Sequence, residues 1–193
     1  MHSEKKLVLG SGSPRRRELL QALGYTFEVV TLPHEEIVDN SIAPQQVAAS
    51  LALQKNEFYR KSVSQENCTL LTADTVVICD KQILGKPKNE RHAAEMLHKL
   101  CDNVHEVVSG VCISSGEKSI DFSVSSKVTF GKYTSKDIEF YIQQYQPFDK
   151  AGAYGIQEWL GMVAVTQIEG SYYNIVGLPT AEVHTCLKHE FGF

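Results

Sequence analysis

The stretch LVLGSGSPRRRELL, residues 7–20, constrains the fold of this chain more than any other. A short apolar run enters a Gly/Ser turn and is followed by Ser13-Pro14, which is typical of a helix cap and a first helical position. Gly24 is suited to end that helix. The apolar run over 6–9 lacks polar alternation and predicts a strand buried on both faces, as in parallel sheets. With a second strand over 25–31, the chain is predicted to open as a β-α-β unit.

The rest of the chain predicts a mixed sheet with flanking helices. Further helices are expected to begin at Pro44, Asn89, Thr134 and Pro179. Strands are expected over 70–79, 82–84, 162–165 and 172–176, with a hairpin formed by 106–113 and 118–129. The fold class is therefore α/β, with a twisted sheet that is parallel at the start and contains hairpins in the middle. A length of 193 residues suits one domain, 1–193.

The first helix carries positive charges where a helix is already positive. Arg15, Arg16 and Arg17 would occupy its second to fourth positions, although a helix N-terminus prefers anions. A bound polyanion would resolve this conflict, since the first-turn amides, the arginines and the hydroxyls of Ser11 and Ser13 could all bind it. The alternative is three solvated arginines that point away from each other.

The sequence lacks two common phosphate-binding motifs, and its charge does not suit a general nucleic-acid-binding protein. The glycines at 10 and 12 do not complete GxGxxG, and no GxxxxGK[ST] occurs. The net charge of −4 does not provide the broad basic face that nucleic acids require. Any anion site must therefore be local.

A second candidate site lies in LLTADTVVIC, residues 70–79. Asp74 interrupts this run, and a carboxylate in a core strand is costly unless it is paired or binds a metal. A turn at Asp80-Lys81 would return residues 82–86 beside 74–78, so that Lys86 of LGKP could face the same pocket as Asp74. The alternatives for Asp74 are a turn cap or a solvent-facing position.

Three other residues have both a functional and a structural interpretation. Glu36, in the pair Glu35-Glu36, could hold Mg²⁺ or belong to a solvated acidic loop. Lys55 lies on a helix with an apolar face and could simply be exposed. Gln157 ends the loop GAYGIQ, where it could hydrogen-bond a base edge or tie the loop.

The five cysteines are odd in number and form no CxxC pair, which argues against a disulfide framework. No secretory signal and no membrane-span candidate is found. We therefore expect a cytoplasmic protein that does not bind membranes. The histidines form no recognisable zinc motif.

Taken together, SGSPRRRELL, ADTVV, ILGKP, GAYGIQ and SYYNIVGLP resemble the Maf family of nucleoside triphosphate pyrophosphatases. These blocks keep the family's order over residues 7–180. The resemblance implies two lobes around a cleft in a fold related to the inosine triphosphate pyrophosphatases. It implies hydrolysis of a nucleoside triphosphate to the monophosphate and pyrophosphate with a divalent metal, Mg²⁺ or Mn²⁺. It links the chain to septum formation in bacteria and also allows a homodimer.

The resemblance assigns roles to residues at matching positions. Asp74 corresponds to the catalytic acid and, with Glu36, to the metal ligands. The substrate-binding positions correspond to Ser11, Ser13, Arg15, Arg16, Lys55, Thr75, Lys86 and Gln157.

The motifs also indicate a branch of the family. Ala-Asp-Thr with Tyr-Gly-Ile-Gln resembles the branch that acts on dTTP, UTP and related pyrimidine triphosphates, whereas the sister branch, which prefers 7-methyl-GTP, has Gln at the position of Thr75. The 7-methyl-GTP activity and a non-catalytic nucleotide-binding division regulator remain alternatives. Glu158, where the family commonly has Gly, and Ser109, where it commonly has Thr, could both alter the fit of the base.

Overall fold

The computed structural model describes residues 5–35, 37–39, 41–63 and 68–193. The predicted opening is confirmed: β1 (Lys6–Gly10) leads into α1 (Pro14–Ala22) and then into β2 (Phe27–Val30). Gly24 follows α1 with a φ of +85°, a conformation that glycine adopts without steric cost.

The remaining elements complete an α/β chain. In order they are α2 (Pro44–Arg60), β3 (Cys68–Cys79), β4 (Gln82–Leu84), α3 (Glu90–Leu100), β5 (Val104–Ser115), β6 (Lys118–Phe130), α4 (Ser135–Tyr145), α5 (Trp159–Ala164), β7 (Val165–Glu169), α6 (Tyr172–Val176) and α7 (Thr180–Glu190).

The seven strands form one mixed sheet in the order β2-β1-β3-β5-β6-β7, with β4 paired to β3. β1 is parallel to both β2 and β3, whereas the β3–β4 and β6–β7 pairs are antiparallel. The predicted mixed, partly parallel sheet with flanking helices is confirmed.

The contacts within the chain define two compact units. The first comprises residues 1–74, 109–124 and 177–193, and the second comprises 75–108 and 125–176. The arrangement of two lobes around a cleft, and the description of 1–193 as a single domain, stay predictions.

In the first unit, β1 is buried on both faces, as its apolar sequence predicts. Leu7 and Leu9 pack with residues of α1 and α7, whereas Val8 packs against Tyr59 of α2. Helices therefore cover both sides of the parallel strands, and the residues that follow β1 emerge at the edge of a rigid core.

In the second unit, α3 and α4 supply much of the core. Their buried side chains are Ala93, Met96, Leu97, Leu100, Ile138, Tyr141 and Ile142. The predicted start of α4 is confirmed, since Thr134 and Asp137 form a reciprocal capping box.

Two predicted strands are wrong. The run over 162–165 lies mainly in α5, where Leu160, Gly161 and Ala164 are buried while Met162 is 70% exposed. Residues 172–176 form α6, whose Asn174 is fully buried and donates hydrogen bonds to the Val107 carbonyl and the Ser126 hydroxyl. Short apolar runs do not separate the helical from the strand period, so these tertiary contacts decide the outcome.

Both hairpin turns are confirmed. Asp80 and Lys81 have φ of 49° and 63°, as the two-residue turn between β3 and β4 requires. The β5–β6 turn lies at Gly116-Glu117, between the two strands predicted for this hairpin. All five cysteines are free. None of the helices in the described ranges is long and apolar enough to cross a membrane.

Candidate active site

The candidate site of the first unit is built at the carboxyl end of β1, beside the middle of the parallel strand β3. Leu9 pairs with Leu71, so extending this register sets Ser11 level with Ala73, next to Asp74. Gly10 supports the extension, because a Cβ atom there would lie 2.9 Å from the Thr72 methyl group. Adjacent strands run about 4.8 Å apart, and the loop to α1 therefore begins beside Asp74.

Asp74 forms an ion pair with Lys55. The distance from Lys55 Nζ to Asp74 Oδ2 is 2.6 Å, and the two side chains are only 12% and 13% exposed. Opposite charges at this distance offset part of the free-energy cost of removing each side chain from water. The exposed interpretation of Lys55 and the solvent-facing interpretation of Asp74 are thus wrong.

Asn56, the residue after Lys55, fixes α2 to two strands. It is 1% exposed, and its Nδ2 donates to the carbonyls of Leu70 and Cys112 and to the Thr72 hydroxyl. The Ser114 hydroxyl donates to its Oδ1 at 2.6 Å. Because these bonds hold the helix against β3 and β5, they also fix the backbone from which Lys55 reaches Asp74.

The arginine segment begins at the predicted helical positions. Ser13 occupies the N-cap position and Pro14 the first helical position, as predicted, although the Ser13 hydroxyl makes no capping hydrogen bond. Instead, the backbone N–H of Ser13 donates to Ser11 Oγ at 3.2 Å. Arg15 and Arg16 are half-buried, whereas Arg17 is exposed.

Arg16 is held by hydrogen bonds within the first unit. Its Nε donates to the Gly177 carbonyl at 2.9 Å, and its Nη1 donates to Ser11 Oγ at 3.3 Å. The three arginines are therefore not equivalent solvated side chains, because the guanidinium group of Arg16 is fixed beside the Ser11–Ser13 loop.

Of the two metal ligands that the resemblance implies, Asp74 lies in this site and Glu36 lies outside the described residues. The described parts of the chain contain no group of three or more His, Cys, Asp or Glu side chains suited to a metal. Mg²⁺ needs only one or two carboxylates when substrate phosphates and water complete its shell. The carboxylate of Asp74 fits that requirement.

Thr75, Lys86 and Gln157 belong to the second unit. β4 pairs with β3 as predicted, but the ladder ends at Leu84, and Lys86 is exposed beyond it. Its predicted position facing Asp74 stays a prediction. Thr75 is half-buried in β3, and Gln157 is exposed in the turn before α5.

Several residues that shape these segments were not predicted from the sequence. Asn56 has a detectable signal, because it is a polar residue four positions after Ala52 on the buried helix face. The Gly177 carbonyl has no such signal, since it lies 161 positions from Arg16. Tyr141 and Lys150, which contact Glu158 beside Gln157, were also missed.

A family model described as "Maf-like protein" matches residues 6–190. The chain is 47% identical over 189 residues to a dTTP/UTP pyrophosphatase of Porphyromonas gingivalis strain ATCC 33277, covering 97% of this chain and 94% of the relative. It is 41% identical to the dTTP/UTP pyrophosphatase of Bacteroides thetaiotaomicron and 44% identical to that of Bacillus mycoides, in both cases over 184 residues and 95% of each chain.

Among solved structures, the Ham1 protein of Staphylococcus aureus matches with a TM-score of 0.55 and 17% identity. The match covers 94% of this chain and 99% of that one. At this identity the likeness concerns the fold alone.

Proposed function

Since this chain belongs to the Maf family, we propose that it is a nucleoside triphosphate pyrophosphatase that hydrolyses dTTP and UTP to the monophosphate and pyrophosphate. Relatives that carry this name at 41–47% identity support the substrate assignment. The observation that carries the proposal is the Lys55–Asp74 ion pair of 2.6 Å, which lies in the same compact unit as the Arg16 guanidinium fixed by Gly177.

Asp74 is the group that we propose acts on the attacking water. The carboxylate accepts a hydrogen bond from the water, orients it and takes its proton as the oxygen attacks the α-phosphorus. The bond between the α-phosphorus and the bridging oxygen then breaks, and its electron pair leaves with pyrophosphate. Lys55 holds Asp74 in a single orientation and contributes positive charge near the phosphates.

Arg15, Arg16 and the Ser13 hydroxyl are proposed to bind the β- and γ-phosphates, which become the leaving pyrophosphate. The hydrogen bonds of Arg16 to Gly177 and Ser11 support this role, because a guanidinium fixed before substrate binds loses little freedom on binding. Lys86 is proposed to neutralise charge that grows on the leaving group. Most of the rate enhancement then comes from positioning and electrostatics.

We propose that Asp74 and Glu36 hold a divalent cation, Mg²⁺ or Mn²⁺. The cation would add charge stabilisation at the phosphate oxygens. Thr75 and Gln157 are proposed to contact the nucleoside, Gln157 through the donor and acceptor of its amide.

A panel of triphosphates tests this function and its alternatives. The protein is incubated with dTTP, UTP, GTP or 7-methyl-GTP in the presence of Mg²⁺ or Mn²⁺. Inorganic phosphate is then measured with and without added inorganic pyrophosphatase, which converts released pyrophosphate to phosphate. We expect a signal that depends on pyrophosphatase and is strongest with dTTP and UTP. A preference for 7-methyl-GTP would assign the chain the 7-methyl-GTP pyrophosphatase activity of the sister branch. No release of pyrophosphate from any nucleotide would favour a non-catalytic regulator.

A further inference from the structure

The turn that presents Gln157 depends on its neighbours for its shape. The Gln157 side chain is exposed and forms no hydrogen bond to another described residue. The turn is closed by the backbone N–H of Glu158, which donates to the Gly155 carbonyl at 3.0 Å. Gln157 therefore has its position set by the residues on either side.

Glu158 and Tyr141 anchor both ends of this turn to α4. The Tyr141 hydroxyl donates a hydrogen bond to Glu158 Oε2 and accepts one from the Gly155 N–H at 2.9 Å. Tyr141 is fully buried, so it provides a fixed point from the core. The Tyr141 hydroxyl thus holds both Gly155, two residues before Gln157, and Glu158, one residue after it.

The second carboxylate oxygen of Glu158 neutralises a buried charge. Glu158 Oε1 lies 3.1 Å from Lys150 Nζ, and the Lys150 side chain is only 9% exposed. Asp149 also pairs with Lys150 at 2.7 Å, but its side chain is 58% exposed. A buried ammonium group requires a nearby negative charge, and Glu158 supplies the less exposed one.

Packing and protonation keep this arrangement rigid. A Cβ atom on Gly155 would lie 2.8 Å from the carboxyl carbon of Glu158, so the carboxyl group packs directly over the turn. Burial, together with the hydrogen bond to Glu158, raises the pKa of Tyr141. The phenol therefore stays protonated and keeps donating to Glu158 at neutral pH.

We infer that Glu158 is a positioning residue for substrate selection, which holds Gln157 in the orientation needed to bind the pyrimidine base. The inference rests on the proposed function and adds a residue outside the set proposed to bind the phosphates. Glu158 is thus expected to govern the KM for dTTP and UTP and their preference over purine triphosphates, with little influence on kcat.

Kinetics of four proteins test the coupling to Gln157: wild type, Glu158→Ala, Gln157→Ala and the double variant. We expect Glu158→Ala to raise the KM for UTP about tenfold, which corresponds to the loss of roughly one well-placed hydrogen bond. The same variant is expected to change kcat by about twofold or less. In the Gln157→Ala background the same change is expected to have almost no further effect. Additive effects, or a loss confined to kcat, would overturn the inference.

Two further variants separate positioning from general damage. Glu158→Gln keeps an acceptor for Tyr141 and is expected to restore part of the UTP affinity. Glu139→Ala removes an exposed glutamate from α4, the helix that carries Tyr141, and serves as the matched control with wild-type kinetics.

A substrate-free readout distinguishes failure of the inference from failure of the proposed function. Trp159 is the single tryptophan, it follows Glu158, and its ring lies 5.0 Å from that of Phe140. Glu158→Ala is expected to increase acrylamide quenching of its fluorescence, whereas Glu139→Ala is not. Unchanged quenching would overturn the anchoring role. Wild-type protein that fails to hydrolyse UTP, with the quenching response intact, would contradict the proposed function alone.

Discussion

At the residue scale, the site depends on two opposite charges that share a nearly buried position. The side chains of Lys55 and Asp74 are only 12% and 13% exposed, and their attraction offsets part of a desolvation cost that is several kcal/mol for an isolated ion. Their pairing leaves the carboxylate fixed on the interior strand β3. A rigid carboxylate needs little reorganisation to accept a proton from water.

Asp74→Asn is expected to reduce kcat for UTP by about 10²–10⁴-fold, because the amide cannot accept the proton of the attacking water. The amide keeps the shape of the side chain and an oxygen acceptor for Lys55, so the fold should persist by circular dichroism. Asp80→Asn, in the exposed β3–β4 turn, is the matched control and should turn over UTP normally. Near-normal turnover in Asp74→Asn would remove Asp74 from the mechanism.

At the element scale, the position of α2 is decided by buried hydrogen bonds in addition to apolar packing. Asn56 satisfies acceptors on two different strands, and its own Oδ1 accepts from Ser114. Buried polar groups that lose their partners keep the full cost of desolvation. Such a cluster therefore favours a single docking geometry for the helix that carries Lys55.

Asn56→Ala is expected to lower the free energy of unfolding by about 2–4 kcal/mol, because it leaves the Ser114 hydroxyl and the Cys112 carbonyl without this partner. Urea denaturation at an unchanged m-value measures this loss. Glu57→Ala, at the next and exposed position of α2, should change stability by less than about 0.5 kcal/mol. A loss below 1 kcal/mol in Asn56→Ala would contradict the clamping role.

Elements with a strong local signal could be predicted from the sequence, and those defined by distant contacts could not. Proline, glycine and the Thr134–Asp137 capping box mark α1 and α4 directly. The five-residue α6 has a β-rich sequence, YYNIV, and is helical where Asn174 meets Val107 and Ser126. The same distinction applies to the site, where the motif residues were identified but the Arg16–Gly177 contact was not.

At the scale of the whole molecule, the proposed machinery is distributed over the chain's two compact units. The first contains the arginine segment, Lys55 and Asp74, and the second contains Thr75, Lys86 and Gln157. Asp74 and Thr75 are neighbours in β3, and this strand carries residues of both units. Family membership extends over 6–190 and therefore includes every proposed site residue.

Hydrolysis of UTP in ¹⁸O-labelled water, with the products resolved by ³¹P NMR, tests the central claim most directly. Attack of water on the α-phosphorus predicts that the label appears in UMP and that pyrophosphate is released unlabelled. Label in pyrophosphate, or UDP and inorganic phosphate as the products, would contradict the proposed reaction.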